Sequence, residues 1–223
     1  MSAPVVLAFG DSNTHGTLPL SDWATRDRLD HADRWTALLA ERTGLHVIAE
    51  GHPGRTTVHD DPIEGAHKNG LAALPVALET HRPVDLVIVM LGTNDCKPRF
   101  AVGPVDIARS VDRLLGVIAT SGAGPDGAAP DVLVVAPVPL IEAGLLAEIF
   151  AGGSAKSQAL AKHLAEVAAA RGAWFLDAGL HAEVSPIDGV HLTAEGHAAI
   201  ADALAQLVAR WQASKESEGR TGC

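Results

Sequence analysis

Four short polar turns in this chain carry residue types that together suit acyl transfer. Ser12 sits in Gly10-Asp11-Ser12-Asn13 and Gly54 in the run 50–57. Asn94 sits in Gly92-Thr93-Asn94-Asp95, and Asp188 and His191 share the run 188–193. A serine hydroxyl is a weak nucleophile and needs a base within hydrogen-bond reach. Histidine serves near neutral pH, because its ordinary pKa is about 6.5. It serves best when a carboxylate fixes its tautomer and stabilises the imidazolium. Asp188 and His191 are close enough in sequence, across Gly189, to pair within one loop. Backbone amides at Ser12 and Gly54 and the side-chain amide of Asn94 are candidate donors to a developing oxyanion. Each residue also has a plainer reading: Ser12 as a turn residue or helix cap, Gly54 as a turn glycine, Asn94 as a turn or cap residue, His191 as a satisfied histidine before a helix.

These turns do chemistry together only if the fold brings them to one place, and the apolar patterning says how it would. Val5 to Phe9 is an unbroken apolar run that stops at the Ser12 turn, which reads as a strand buried on both faces. Similar short runs at 45–49, 84–91, 132–136 and 173–176 predict four more strands. Helical spacing fills the intervals: 31–43, a stretch marked by Leu71, Leu74 and Leu78 with Pro75 in its first turn or kinking it, a helix from about Pro104, and 155–171. A last helix follows Thr193 as N-cap, with Ile200, Leu204, Leu207, Val208 and Trp211 on its apolar face. Alternation of strand and helix predicts a parallel sheet with helices on both faces, and the layout suits the flavodoxin-like order 2-1-3-4-5. The four turns then follow strands one, two, three and five, and lie on one carboxyl edge, where open α/β sheets bind ligands. Two polar stretches, 17–30 and 58–69, are long for connections and are expected to wall the pocket.

Bulk properties narrow the class. The 223 residues are expected to form one domain over 1–213, with a polar, disordered tail at 214–223. Lys and Arg total 17 against 27 Asp and Glu, a formal charge of -10, which disfavours nucleic acid and anionic membrane as partners. Cys96 and Cys223 alone make no disulfide framework and no metal-ligand spacing. The start, MSAPVV, has no basic leader, and no apolar run reaches the roughly 18 residues of a membrane span, so a cytoplasmic protein is expected.

Gly10-Asp11-Ser12, Gly54, Gly92-Thr93-Asn94-Asp95 and Asp188-Gly189-Val190-His191 resemble the four blocks of the SGNH (GDSL-type) hydrolase family, from about Val5 to the last helix. The resemblance implies a three-layer α/β/α fold with a five-stranded parallel sheet, and serine esterase chemistry on a small-molecule ester without metal or cofactor. It implies Ser12 as nucleophile, His191 as base, Asp188 as its orienter, and Gly54 and Asn94 beside the Ser12 amide in the oxyanion hole. Arg55-Thr56-Thr57 with Asp60-Asp61-Pro62, and the run 90–95, resemble the bacterial arylesterase/acyltransferase branch. Members of that branch act on short acyl esters, can pass the acyl group to alcohols or peroxide, and often assemble as homo-oligomers. Asn13 stands where the usual motif has leucine, and with His15 it predicts a more polar pocket wall.

Two other functional classes compete. A metal-dependent phosphoesterase could draw on Asp11, Asn94, Asp95, Asp188 and His191 with His52 and His59, but leaves Ser12 without a role. A non-catalytic binding module on the same fold is the second, since fold does not fix function. Among the histidines, His197 is the rival base, expected on the last helix without a carboxylate at the right offset, and His31, His46, His67, His81, His163 and His181 read as surface or loop residues.

Overall fold

The computed structural model describes residues 3–24 and 27–221. Its five strands are β1 (Val5–Gly10), β2 (His46–Gly51), β3 (Leu86–Met90), β4 (Asp131–Ala136) and β5 (Trp174–Asp177). They pair in the order β2-β1-β3-β4-β5, and every pairing is parallel. The six helices are α1 (Ser12–His15), α2 (Trp35–Thr43), α3 (Gly70–His81), α4 (Pro104–Ala119), α5 (Gly153–Arg171) and α6 (Ala194–Thr221). This is the expected three-layer α/β/α arrangement with the flavodoxin-like strand order.

The unbroken apolar strands follow from burial on both faces. Leu7, Phe9, Val87 and Val89 point to one side, where they pack with Leu74 and Leu78 of α3, Val111 and Leu114 of α4, and Leu160 and Leu164 of α5. Their neighbours Val6, Ala8, Leu86 and Ile88 point to the other, against Trp35 and Leu39 of α2 and Ile200, Leu204 and Val208 of α6. Successive strand residues alternate faces, so a strand covered by helices on both sides must be apolar throughout. Fully burying each large side chain contributes roughly 1.5–3 kcal/mol, which makes the sheet a stiff support for its carboxyl edge.

Some boundaries differ from the sequence reading. The helix expected over 31–43 is a 3-10 turn, His31–Asp33, followed by α2 from Trp35. Arg34 between them is extended, and its guanidinium donates to the Leu29 carbonyl at 3.0 and 2.8 Å. Pro75 lies inside α3 rather than in its first turn, which is capped by the Asn69 side chain. Helix α6 runs on through the polar stretch from Ser214 to Thr221, and positions 222–223 of the expected tail lie outside the described residues. Trp211 Nε1 donates to Asp131 at 2.8 Å and Lys215 Nζ lies 2.6 Å from the same carboxylate, tying this part of the helix to the start of β4. Among the described residues, no helix is long and apolar enough to cross a membrane.

Candidate active site

The candidate nucleophile is placed by the handover from β1 to α1. Asp11 caps the short helix, its Oδ1 accepting from the Asn13 amide at 3.0 Å, and Ser12 is the first helical residue. Ser12 is nearly buried yet lines a cleft of about 470 Å³, together with Gly54, Asn94 and His191. Residues from four separate turns, spread from position 12 to position 191, thus meet at one cleft on the carboxyl edge.

The Asp188–His191 turn is built around one buried carboxylate. Asp188 Oδ1 accepts from the Val190 and His191 amides, each at 3.0 Å. Its Oδ2 accepts from His191 Nδ1 at 2.6 Å and from the Leu20 amide at 2.7 Å. Burial acts to raise the pKa of Asp188, but the hydrogen bond and charge of His191, with the backbone amides, hold it below the usual carboxylate range. An ionised carboxylate accepts only, so the ring proton sits on Nδ1 and the Nε2 lone pair is left for another partner. Gly189 makes the turn possible: its φ is +77°, and a Cβ there would fall 2.0 Å from the Ile141 carbonyl oxygen.

The turns bearing Gly54 and Asn94 are locked to each other. Asp95 accepts from the Thr57 amide at 3.1 and 3.0 Å and from the Thr57 hydroxyl. Asn94 Nδ2 donates to the Arg55 carbonyl at 3.1 Å and reaches Asp11 Oδ2 only at 3.4 Å, so its second hydrogen is loosely held. Gly54 has a φ of +79°, and a Cβ there would lie 2.7 Å from Glu64 Oε2. Arg55 donates to the Gly10 carbonyl at 3.0 Å and to the Glu50 carbonyl, and its guanidinium lies 4.2 Å from the centre of the Phe9 ring. It therefore stitches this turn to the ends of β1 and β2. Burial pushes Asp11 up to about 6, against the lowering pull of the Asn13 amide, His191 and Arg55.

The walls of the cleft divide by chemistry. Leu20 and Trp23 from the 17–30 stretch and Leu146, Ile149 and Phe150 from the β4–α5 connection form the apolar part. Lys97 and Arg99 form the charged part with Glu64, whose Oε1 takes Lys97 Nζ at 3.0 Å and Arg99 Nη2 at 2.9 Å. Lys68 and Ile63 bring the 58–69 stretch to the same cleft. The sequence reading missed the Leu146–Phe150 wall and the Lys97–Arg99 pair. An apolar cluster in 140–150 was the available signal for the first; nothing in the spacing marked the second.

Two expectations about this wall are corrected. Asn13 does not line the cleft: its amide turns inward and bonds the backbone of Val190 and Leu192. His15 is absent from the wall as well, its Nδ1 lying 2.9 Å from the Thr17 hydroxyl. His197 is buried on α6, and its Nδ1 accepts from the Trp35 amide at 3.1 Å with no carboxylate beside it. The side chains of the phosphoesterase reading are dispersed among other duties, and among the described residues no three His, Cys, Asp or Glu side chains gather as metal ligands.

Comparison with known proteins agrees with this architecture. Residues 8–199 match the GDSL-like lipase/acylhydrolase family. An aryl esterase structure from M. smegmatis is 39% identical, with a TM-score of 0.88 and coverage of 93% of this chain and 99% of that one. A carbohydrate acetylesterase from Sinorhizobium meliloti is 40% identical, with a TM-score of 0.89 and the same coverage of 93% and 99%. A carbohydrate acetylesterase family member from Sinorhizobium meliloti is 36% identical, with a TM-score of 0.84 over 92% of this chain and 97% of that one. No match is found among curated protein sequences. The chain belongs to the GDSL-like lipase/acylhydrolase family and is a carboxylic ester hydrolase.

Proposed function

We propose that this protein is a metal-independent serine esterase for short-chain carboxylic esters. The reading rests on one observation above the rest: His191, hydrogen-bonded at 2.6 Å to the buried Asp188, faces the same cleft as Ser12. Ser12 Oγ attacks the ester carbonyl while His191 Nε2 takes its proton. The carbonyl π pair moves to oxygen, and the oxyanion is met by the Ser12 and Gly54 amides and by Asn94 Nδ2. Collapse expels the alkoxide, which takes the proton back from His191 and leaves an acyl-serine. Water repeats the sequence and releases the acid. Asp188 holds the imidazole in the productive tautomer and stabilises the imidazolium throughout.

The relatives that carry aryl-esterase and carbohydrate-acetylesterase descriptions favour an aryl or sugar alcohol part and an acetyl-sized acyl part. The apolar wall of Leu146, Ile149 and Phe150 suits a short acyl chain or an aromatic ring, while Lys97, Arg99 and Glu64 supply polar contacts for a hydroxylated alcohol. A bound alcohol or peroxide replacing water in the second half would make the enzyme an acyltransferase. A panel of p-nitrophenyl esters of rising chain length, with and without a competing alcohol and with EDTA, tests the substrate reading. Activity peaking at two to four acyl carbons and unmoved by EDTA is expected. Loss on EDTA treatment with recovery on Mn²⁺ or Zn²⁺ would overturn it.

A further inference from the structure

We propose that Asn13 is a positioning residue for ester hydrolysis, its side-chain amide holding His191 in register with Ser12; this rests on the roles proposed above for Ser12 and His191. Asn13 Nδ2 donates to the Val190 carbonyl at 3.1 Å, and Asn13 Oδ1 accepts from the Leu192 amide at 3.1 Å. One side chain thus closes on the backbone groups immediately before and after His191. Asn13 is 5% exposed and is the neighbour of Ser12 in a single capped turn of helix.

The other anchors of the His191 turn do not reach α1. Ser185 donates to the His191 carbonyl at 2.8 Å, Ile141 to the Gly189 carbonyl at 2.9 Å, and Asp188 binds Leu20 and the turn itself. They fix the imidazole against its carboxylate. Among the hydrogen bonds of the described residues, only the Asn13 pair joins this turn to the helix that carries Ser12. Proton transfer from Ser12 to His191 depends on their separation, and misplacement by about 1 Å can cost on the order of 100-fold in rate.

The site demands a donor and an acceptor at fixed spacing, which an amide supplies and leucine does not. In an Asn13→Asp variant the protonated carboxyl would supply both from the same atoms, one O–H and one C=O. Once ionised, that carboxylate only accepts, and it faces the Val190 carbonyl. The titratable groups on the elements around it include Asp11 and His15 on its own turn of helix, Asp188 and His191 on the facing turn, and His197 on α6, with Arg55 beside Asp11.

The test compares wild type, Asn13→Leu and Asn13→Asp on p-nitrophenyl acetate, with turnover expressed per active site titrated by a fluorophosphonate. Asn13→Leu is expected to lower kcat about 10- to 100-fold with KM within about twofold. Asn13→Asp is expected to approach wild-type kcat at pH 5.5 and to fall progressively behind it toward pH 8. A purely structural role would lower Tm and the fraction of titratable sites but leave turnover per site alone. Wild-type turnover per site in Asn13→Leu, or an Asn13→Asp profile parallel to wild type, overturns the proposal. If Asn13→Leu does not fold, the Asn13→Asp profile decides alone. A Ser12→Ala control that still hydrolyses the ester would instead overturn the nucleophile assignment.

Discussion

His191 and His197 lie close together in sequence, both buried, one just before α6 and the other in its first turn, and they are wired in opposite senses. His191 Nδ1 donates to a carboxylate, which leaves the Nε2 lone pair free on a residue that lines the cleft. His197 Nδ1 accepts from the Trp35 amide at the start of α2, so its proton must sit on Nε2, which is buried without a hydrogen-bond partner among the described residues. Burial, followed by the charges of Arg34 and His191, pushes His197 down to about 4. In the proposed mechanism one ring takes a proton, while the wiring of the other refuses it. Residue type and proximity therefore do not make a base; the partner on the far nitrogen does.

The largest effects are expected on the His191 side. Asp188→Asn preserves shape but presents an N–H or a neutral carbonyl to Nδ1, favouring the wrong tautomer. We predict a fall in kcat of about 10⁴ on p-nitrophenyl acetate. A matched pair of variants sets the two rings directly against each other: His191→Ala should abolish hydrolysis, while His197→Ala should largely spare turnover per titrated site.

The His197 side should show in stability instead. A histidine held near 4 in the folded state but near 6.5 unfolded lets the unfolded chain bind more protons between those values. Its contribution is fully present above about 6.5 and is lost as pH falls toward 4. His197→Asn keeps an acceptor for the Trp35 amide and removes the titration. Relative to wild type, urea unfolding should show it gaining roughly 2 kcal/mol between pH 7.5 and pH 5. His15 and His52, each pushed down to about 4 mainly by burial, slope the same way, and Asp11 slopes oppositely, so the variant difference is the quantity to measure. The smallest effect lies between the two rings. Thr193 Oγ1 accepts from the Gly196 amide at 3.4 Å, and Thr193→Ala should cost about 0.5–1 kcal/mol of stability with kcat within twofold.

The strands were the legible part of the fold, because burial on both faces leaves an unbroken apolar run that no surface element imitates. Helix starts were less so: α2 begins at Trp35 because Arg34 is pulled to Leu29 and the Trp35 amide is met by His197, contacts that span 162 residues in the second case. The same limit governs the cleft. The four polar turns announced themselves by residue type, and strand alternation was enough to place them on one edge. Asn13 misled because a polar residue beside Ser12 reads as pocket wall, whereas its partners lie 177 and 179 positions away. Lys97 and Arg99 gave no signal, since what draws them to the cleft is Glu64 on another loop.

The central claim is that Ser12, activated by His191, carries the acyl group. Intact-mass measurement during rapid turnover of p-nitrophenyl acetate, followed by peptide mapping, tests it most directly. One acetyl adduct on Ser12 is expected, present in His197→Ala and absent in Ser12→Ala. Turnover by folded Ser12→Ala, or an adduct on another residue, would contradict it.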